Sequence, residues 1–300
     1  MKVLSLFSGV GGFDLGLEAA GMQTVFQCEW DKHCLSVLDR HWADVPKWGD
    51  ISTLTGKHIL AHAPQIDVVA WGSPCQDLSK AGKQQGLSGS RSGLFFEGMR
   101  IINEIRKETD GLYPRFSIWE NVAGALTSNR GADFGTILDA MAEAGAMVIE
   151  WKLLDTKLFG IPQARRRVFV VAGFNFDRSE LDSVKIFPLT ESDQGYLSKG
   201  NEVSFYQSHG VQDQFNVGYT NPLKKIAACC VVSETLRPRK LTPVESERLQ
   251  GYPDDWTRWA ADGSEQKDLY RYQQCGNGVT APVAKWVGEQ VMKLCNTPNP

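Results

Sequence analysis

One short apolar run, residues 66–71 (IDVVAW), constrains the fold of this chain more than any other stretch. It is rich in β-branched residues and stops at Gly72-Ser73-Pro74, a pattern typical of a buried strand. Cys75 follows directly. Because open α/β sheets bind their ligands beyond the carboxyl ends of the strands, the sequence predicts this thiol at a ligand-binding edge.

The surroundings of Cys75 favour an accessible thiol, although most cysteines are small buried hydrophobes. Pro74 stiffens the turn, because its ring fixes φ and removes a backbone donor, and the polar pair Gln76-Asp77 follows. Residues 77–92, rich in glycine and serine, are predicted to form a mobile lid beside a rigid strand. Cys75 is therefore a candidate nucleophile.

The first 31 residues predict a nucleotide-binding layout. A strand over 3–7 leads through the turn Gly9-x-Gly11-Gly12 into a helix, but this spacing is not GxGxxG, so a structural turn is an equal alternative. The next strand ends at Glu29, which can hold ribose hydroxyls, and Trp30 can stack on adenine. A helix cap and a packing residue are the alternatives. The combination favours a ligand that contains adenosine, with Asp50 on the same rim.

Two further polar features, a glutamate and a pair of arginines, carry candidate chemistry. Glu120 ends the strand over 115–122, at the same sheet edge, and is a candidate acid unless it only caps the next segment. Arg165 and Arg167 alternate with Arg166, so they share one face if the chain is extended. Two guanidinium groups that point one way suit a carboxylate, a phosphate or a base edge, although a solvated charge run would also explain them.

Composition bounds the class of protein. The 300 residues suit one large domain, or one large and one small, and the net charge of −3 argues against a basic coat for nucleic acid. Residues 176–236 are more polar and predict a small irregular β-rich domain. No apolar run approaches the ~18 residues of a membrane span. The start lacks a signal-peptide pattern, and the seven scattered cysteines lack zinc spacing, so we expect a cytoplasmic protein without a metal.

Taken together, the motifs resemble those of the DNA (cytosine-5) methyltransferases, in that family's order. The matching blocks are residues 7–13, 29–31, 49–51, 72–76, 120–122, 163–167, 239–245 with 248–253, and 276–279. The resemblance implies an α/β fold: a Rossmann-like class I S-adenosylmethionine-dependent methyltransferase sheet with helices on both faces. It also implies a discontinuous catalytic domain, residues 1–185 and 273–300, interrupted by a target-recognition domain over 186–272.

The resemblance further implies the chemistry. Cys75 would attack C6 of a cytosine flipped out of duplex DNA, Glu120 would bond the base at N3 and its amino group, and Arg165 would contact O2 and help to hold Glu120. The implied contacts with S-adenosyl-L-methionine (product S-adenosyl-L-homocysteine) are at Phe7, Gly9, Val10, Gly11, Gly12, Glu29, Trp30, Asp50, Ile51, Pro74, Asn277 and Val279. The implied DNA contacts are at Gln76, Ser79, Arg167, Arg237 and Arg239.

The chain departs from the family pattern at three places. Gln76-Asp77-Leu78 stands where many members have proline and then phenylalanine, Tyr252 where phenylalanine is frequent, and Gly278 where serine is common. A tRNA methyltransferase of the same fold is one alternative, but its Cys-Phe-Thr signature is absent. A DNA-binding regulator that lacks turnover is another. Otherwise we expect a monomer, acting on double-stranded DNA in a bacterial or phage-infected cell, with a restriction endonuclease as a candidate partner.

Overall fold

The computed structural model describes residues 1–74, 93–176, 184–187, 194–198, 230–232 and 238–296. Within these residues the main sheet has the strand order β3-β2-β1-β4-β5-β7-β6-β8. Its strands are β1 (Lys2–Leu6), β2 (Gln23–Cys28), β3 (Lys47–Trp48), β4 (Val68–Trp71), β5 (Phe116–Val122), β6 (Val148–Asp155), β7 (Arg166–Gly173) and β8 (Gln194–Ser198). A separate antiparallel pair joins β9 (Cys230–Val232) to β10 (Pro238–Lys240).

Among the described α-helices, the first five alternate with β1 to β6, and three more follow β10. They are α1 (Gly12–Ala19), α2 (Lys32–His41), α3 (Gly56–His62), α4 (Gly93–Glu108), α5 (Ala132–Glu143), α6 (Pro243–Arg248), α7 (Asp268–Asn277) and α8 (Ala281–Asn296). None of these helices combines the length and the apolar character that crossing a bilayer requires.

Helices cover both faces of the sheet because side chains alternate along each buried strand. Val69 and Trp71 of β4 pack in one apolar cluster with α3, α4 and α5, whereas Val68 and Ala70 pack in another with α1 and α8. β3, β2, β1, β4 and β5 are parallel neighbours, so their carboxyl ends share one edge. The predicted Rossmann-like sheet with helices on both faces is therefore confirmed.

Strand β7 runs antiparallel to both of its neighbours, β5 and β6. Arg167 at its start pairs with Val122 at the end of β5. An antiparallel strand begins where its neighbour ends, so the loop before β7 reaches the edge at which the parallel strands finish. This reversal is what delivers residues 163–167 to the same edge as Glu120.

The segment after residue 240 packs against the first part of the chain. Tyr252 and Trp256 share an apolar cluster with Val10 and Leu38, and the indole nitrogen of Trp256 donates to the Val10 carbonyl at 2.9 Å. The start of the predicted 186–272 unit also joins the main sheet, because β8 pairs with β6. These contacts attach parts of the predicted 186–272 unit to the catalytic side. Most of the β-rich region that the sequence predicts over 176–236 lies outside the described residues.

Candidate active site

Glu120 is the centre of the described site. The residue is 9% exposed, and its Oε1 lies 3.2 Å from Nε of Arg167. A Cβ added to Gly72 would lie 3.2 Å from its Oε2, so the loop after β4 runs directly past the carboxyl group. Burial raises the pKa of Glu120, and the charges of Arg167 and Arg165 oppose that rise. The group is therefore an acid that retains its proton to higher pH than an ordinary glutamate.

Arg165 is almost fully buried, at 2% exposure, although it carries a charge. Its Nη1 donates to the Gly276 carbonyl at 3.2 Å, and its Nη2 donates to the Gly278 carbonyl at 2.7 Å. These acceptors follow Arg165 by more than 100 residues, so the end of α7 fixes the guanidinium from the far part of the chain. A buried charge is tolerated only when it is bonded in this way.

The loop that leads to Cys75 is fastened to β5. Trp119 Nε1 donates to Ser73 Oγ at 3.2 Å, and Asn121 Nδ2 donates to the Ser73 carbonyl at 3.4 Å. Pro74, the last described residue before the gap, is exposed. The same two residues that flank Glu120 along β5 therefore hold the segment two residues before Cys75.

Several predicted site residues cannot be placed. Cys75, Gln76, Ser79 and Arg237 lie outside the described residues, as does the predicted lid over 77–92. Arg239 is described only as part of the backbone of β10.

The glycine turn after β1 is braced against the end of β2. Glu29 Oε2 accepts from the Gly9 amide at 2.7 Å, and its Oε1 accepts from the Asp31 amide at 2.8 Å. Burial raises the pKa of Glu29, although these two hydrogen bonds act to lower it. Phe7, Gly9 and Gly11 all have positive φ, of 54°, 57° and 83°, which the tight turn requires.

The turn and the strand ends offer the features that an adenosine ligand needs. Space is open at Gly9, where a Cβ would meet nothing within 4 Å. Trp30 follows Glu29 and is 74% exposed, so its ring is free to stack. These residues fit S-adenosylmethionine.

The other predicted cofactor residues take varied positions. Asp50 Oδ1 accepts from the amide and hydroxyl of Ser52, at 2.9 and 2.8 Å, and Ile51 is buried beside it. Asn277 is exposed at the end of α7, and Val279 is half-buried. Val10 points into the apolar cluster with Leu38 and Trp42, so only its backbone belongs to the turn. Gly12 is tightly packed, because an added Cβ would meet the Val279 carbonyl and lie 2.6 Å from Tyr252 Oη.

Two residues make contacts at the site that lie outside the roles predicted for them. Arg167, predicted as a DNA contact, is ion-paired to Glu120. Tyr252, noted only as a departure from the family pattern, donates from Oη to the Val279 carbonyl at 2.9 Å. The shared face of Arg165 and Arg167 is the sequence feature that could have indicated the contact of Arg167, whereas no local pattern marks the contact of Tyr252.

The model of the C-5 cytosine-specific DNA methylases matches residues 1–209 and 175–293 of this chain. The chain belongs to this family. The Type II methyltransferase M2.BsuMI of Bacillus subtilis (strain 168) is 32% identical to this methylase over 315 residues, 97% of this chain and 75% of the relative. The Type II methyltransferase M.HhaI of Haemophilus parahaemolyticus is 27% identical, over 99% of this chain and 95% of its own.

A solved structure agrees on the fold. The S. pombe Dnmt2 methyltransferase superposes with a TM-score of 0.66 at 19% identity, covering 98% of this methylase and 99% of that chain. The predicted family is therefore confirmed, and with it the enzyme class, a DNA (cytosine-5) methyltransferase. Its substrate is DNA, and its family and fold are those of S-adenosylmethionine-dependent methyltransferases.

Proposed function

We propose that this methylase flips a target cytosine out of duplex DNA and methylates C5 through a covalent bond between Cys75 Sγ and C6. The observation that carries the proposal is the placement of Glu120. Its buried carboxyl group lies between Arg167 and the backbone of Gly72, three residues before Cys75 in the sequence. A target base must leave the helix to reach such a recessed group.

The proposed steps assign one task to each side chain. The Cys75 thiolate adds to C6, and the electron pair moves toward N3 and O2 of the ring. Glu120 donates a proton at N3, which its raised pKa makes available, while the Arg165 guanidinium stabilises charge at O2. C5 is thereby made nucleophilic and gains the methyl group. Loss of the C5 proton and departure of the Cys75 thiolate then restore the aromatic ring, and N3 returns its proton to the Glu120 carboxylate.

S-adenosylmethionine, when bound, supplies an electrophilic methyl group on sulfur. Glu29 would hold its ribose, Trp30 and Ile51 the faces of its adenine, and Asp50 the adenine amino group. The glycine turn, with Phe7, would border the methionine part, and Asn277 and Val279 would close the same pocket. The product S-adenosylhomocysteine would leave from the same residues.

We also propose a revised domain division. The packing of Tyr252 and Trp256 on the catalytic side favours a return to the catalytic domain near residue 241 rather than 273. Target recognition would then rest on residues near 199–240, with Arg237 and Arg239 at phosphates and Gln76, Ser79 and Arg167 near the flipped base. Relatives of this methylase are named Type II methyltransferases, which supports a restriction endonuclease as partner. We propose that the enzyme is monomeric and cytoplasmic.

The test is a covalent trap. The methylase is incubated with S-adenosylmethionine and with duplex DNA in which the target cytosine is 5-fluorocytosine. A protein–DNA adduct that is stable to denaturation should form, because fluorine at C5 cannot leave as a proton does. Cys75→Ser should abolish the adduct, and Cys295→Ser, which alters a half-buried cysteine of α8, should retain it.

Two outcomes would overturn the proposal. Transfer of labelled methyl groups to tRNA but not to duplex DNA would favour the tRNA alternative. Binding of DNA and cofactor with neither transfer nor adduct would favour a regulator without turnover.

A further inference from the structure

The hydroxyl group of Tyr252 lies where three segments of the methylase meet. Its ring belongs to the cluster with Val10 and Trp256, and its Oη donates to the Val279 carbonyl at 2.9 Å. A Cβ added to Gly12 of the cofactor turn would lie 2.6 Å from this oxygen. One buried hydroxyl therefore touches both the start of α1 and the segment that follows α7.

The Tyr252 hydroxyl, and not the backbone conformation, leaves no room for a side chain at Gly278. Its φ of −70° and ψ of 156° are open to any L residue. A Cβ at Gly278, however, would overlap with Tyr252 Oη, whereas the next nearest atom, the Gln274 carbonyl oxygen, would be 3.1 Å away. The hydroxyl occupies the volume that a side chain at position 278 would need.

The same backbone also supports the catalytic side. The Gly276 and Gly278 carbonyls each accept a hydrogen bond from Arg165, and the next carbonyl, that of Val279, accepts one from Tyr252. The segment over 276–279 is thus held by a side chain of the base site and by a hydroxyl that faces the cofactor turn.

We propose that Tyr252 is a positioning residue for the cofactor, and that Tyr252 and Gly278 act as a compensating pair. The Tyr252 hydroxyl sets the distance between segment 276–279 and the glycine turn, and a side chain at position 278 is compatible with that spacing only when the hydroxyl is removed. The pair also accounts for two departures from the family pattern together. This inference rests on the proposed binding of S-adenosylmethionine at the glycine turn.

A double-mutant cycle tests the pair, with the Kd for S-adenosylmethionine and kcat measured separately. Tyr252→Phe should raise the Kd about 3- to 10-fold, the value of one hydrogen bond, and leave kcat within about twofold because Arg165 keeps its own bonds. Gly278→Ala should raise the Kd more, by about 10- to 100-fold, because it overpacks a filled site. The double variant should return to within about threefold of Tyr252→Phe.

The chain offers matched controls for each substitution. Gly12→Ala should not be rescued by Tyr252→Phe, because its Cβ would still overlap with the Val279 carbonyl. Tyr272→Phe removes a similar bond, from Oη to the Leu241 carbonyl at 2.6 Å, and should leave the Kd unchanged. Gly135→Ala on α5, where a Cβ meets nothing within 4 Å, should also be neutral.

Additive effects of Tyr252→Phe and Gly278→Ala would overturn the inference, as would a Tyr252→Phe variant with unchanged Kd. Thermal unfolding of each variant identifies those that do not fold. If Gly278→Ala does not fold, the Kd of Tyr252→Phe, which keeps the aromatic ring, still tests the inference. Failure of the proposed function has a different signature, since the unmodified methylase would then not bind S-adenosylmethionine at all.

Discussion

Nε of Arg167 lies 3.2 Å from Oε1 of Glu120 because β7 runs antiparallel to β5 and begins where β5 ends. Burial raises the pKa of Glu120, and Arg167 is the larger of the two charges that counter it. The ion pair therefore adjusts how readily the acid keeps its proton.

This relationship predicts a pH dependence. If the proton of Glu120 is needed at N3, the single-turnover rate should fall as pH rises through the raised pKa. Arg167→Met removes the larger opposing charge, so the falling limb should move to higher pH. Glu120→Gln cannot titrate and should lose this limb. Rates measured between pH 5 and 9 check the prediction, and a limb that moves to lower pH in Arg167→Met would contradict it.

Replacement of Arg165 should affect rate more than DNA affinity. Arg165→Lys keeps the charge but cannot bond both the Gly276 and Gly278 carbonyls with the same geometry. Loss of one charge-assisted bond, about 1.5–3 kcal/mol, corresponds to roughly a 10- to 100-fold lower kcat. Arg166→Lys, at an exposed neighbour, is the control and should be within about twofold of the unmodified enzyme. Equal losses in both variants would count against a site role for Arg165.

Trp30 should contribute to cofactor affinity without contributing to stability. Its side chain is exposed, so Trp30→Ala should leave the melting temperature unchanged, while loss of adenine stacking raises the Kd for S-adenosylmethionine about tenfold. Leu112→Ala, at another exposed apolar side chain between α4 and β5, should change neither quantity. Calorimetric titration gives the Kd, and an unchanged Kd for Trp30→Ala would remove this residue from the site.

Asp14 should make stability depend on pH. The residue is fully buried in α1, where it accepts from Ser5 Oγ and Gln27 Nε2, each at 2.9 Å. Burial raises its pKa from 3.8 to about 6. The folded state therefore binds the proton more tightly than the unfolded state, and this contribution is complete below pH 3.8 and is lost as pH rises to about 6.

The corresponding measurement uses Asp14→Asn. Between pH 4 and 7, the free energy of unfolding of the unmodified enzyme should fall by about 2 kcal/mol relative to this variant, most of the full linkage at 1.36 kcal/mol per pKa unit. Asp44→Asn, at an exposed carboxylate, should follow the unmodified enzyme. Parallel curves for Asp14→Asn and the unmodified enzyme would show that Asp14 does not titrate in this range.

The sequence predicted this edge of the sheet because strand ends are local features. Residues 66–71 and 115–122 read as strands, and parallel strands finish at one edge, so the placement of Gly72 against Glu120 follows from topology. The return of Arg165 to this edge also follows, once β7 is antiparallel.

The end of the second domain and the packing around Tyr252 depend on contacts between residues that are far apart in the sequence. Trp256 donates to the carbonyl of Val10, 246 positions earlier, and no composition change marks that the chain has come back to the catalytic side by then. The polar texture of residues 176–236 therefore could not show where the second domain ends. The meeting of Tyr252 with Gly278 and Gly12 is likewise a matter of packing, which spacing along the chain does not reveal.

The carbonyls that hold Arg165 belong to residues 276 and 278, and α8 beyond them packs so closely on α1 that a Cβ at Gly16 would lie 2.5 Å from the Ala281 carbonyl. On the ribosome these parts are made after β1 to β7. A nascent chain that lacks residues 276–296 cannot form the hydrogen bonds from Arg165 to the Gly276 and Gly278 carbonyls, and its α1 has no α8 to pack against. Synthesis that stops early therefore yields no partial enzyme able to mark DNA.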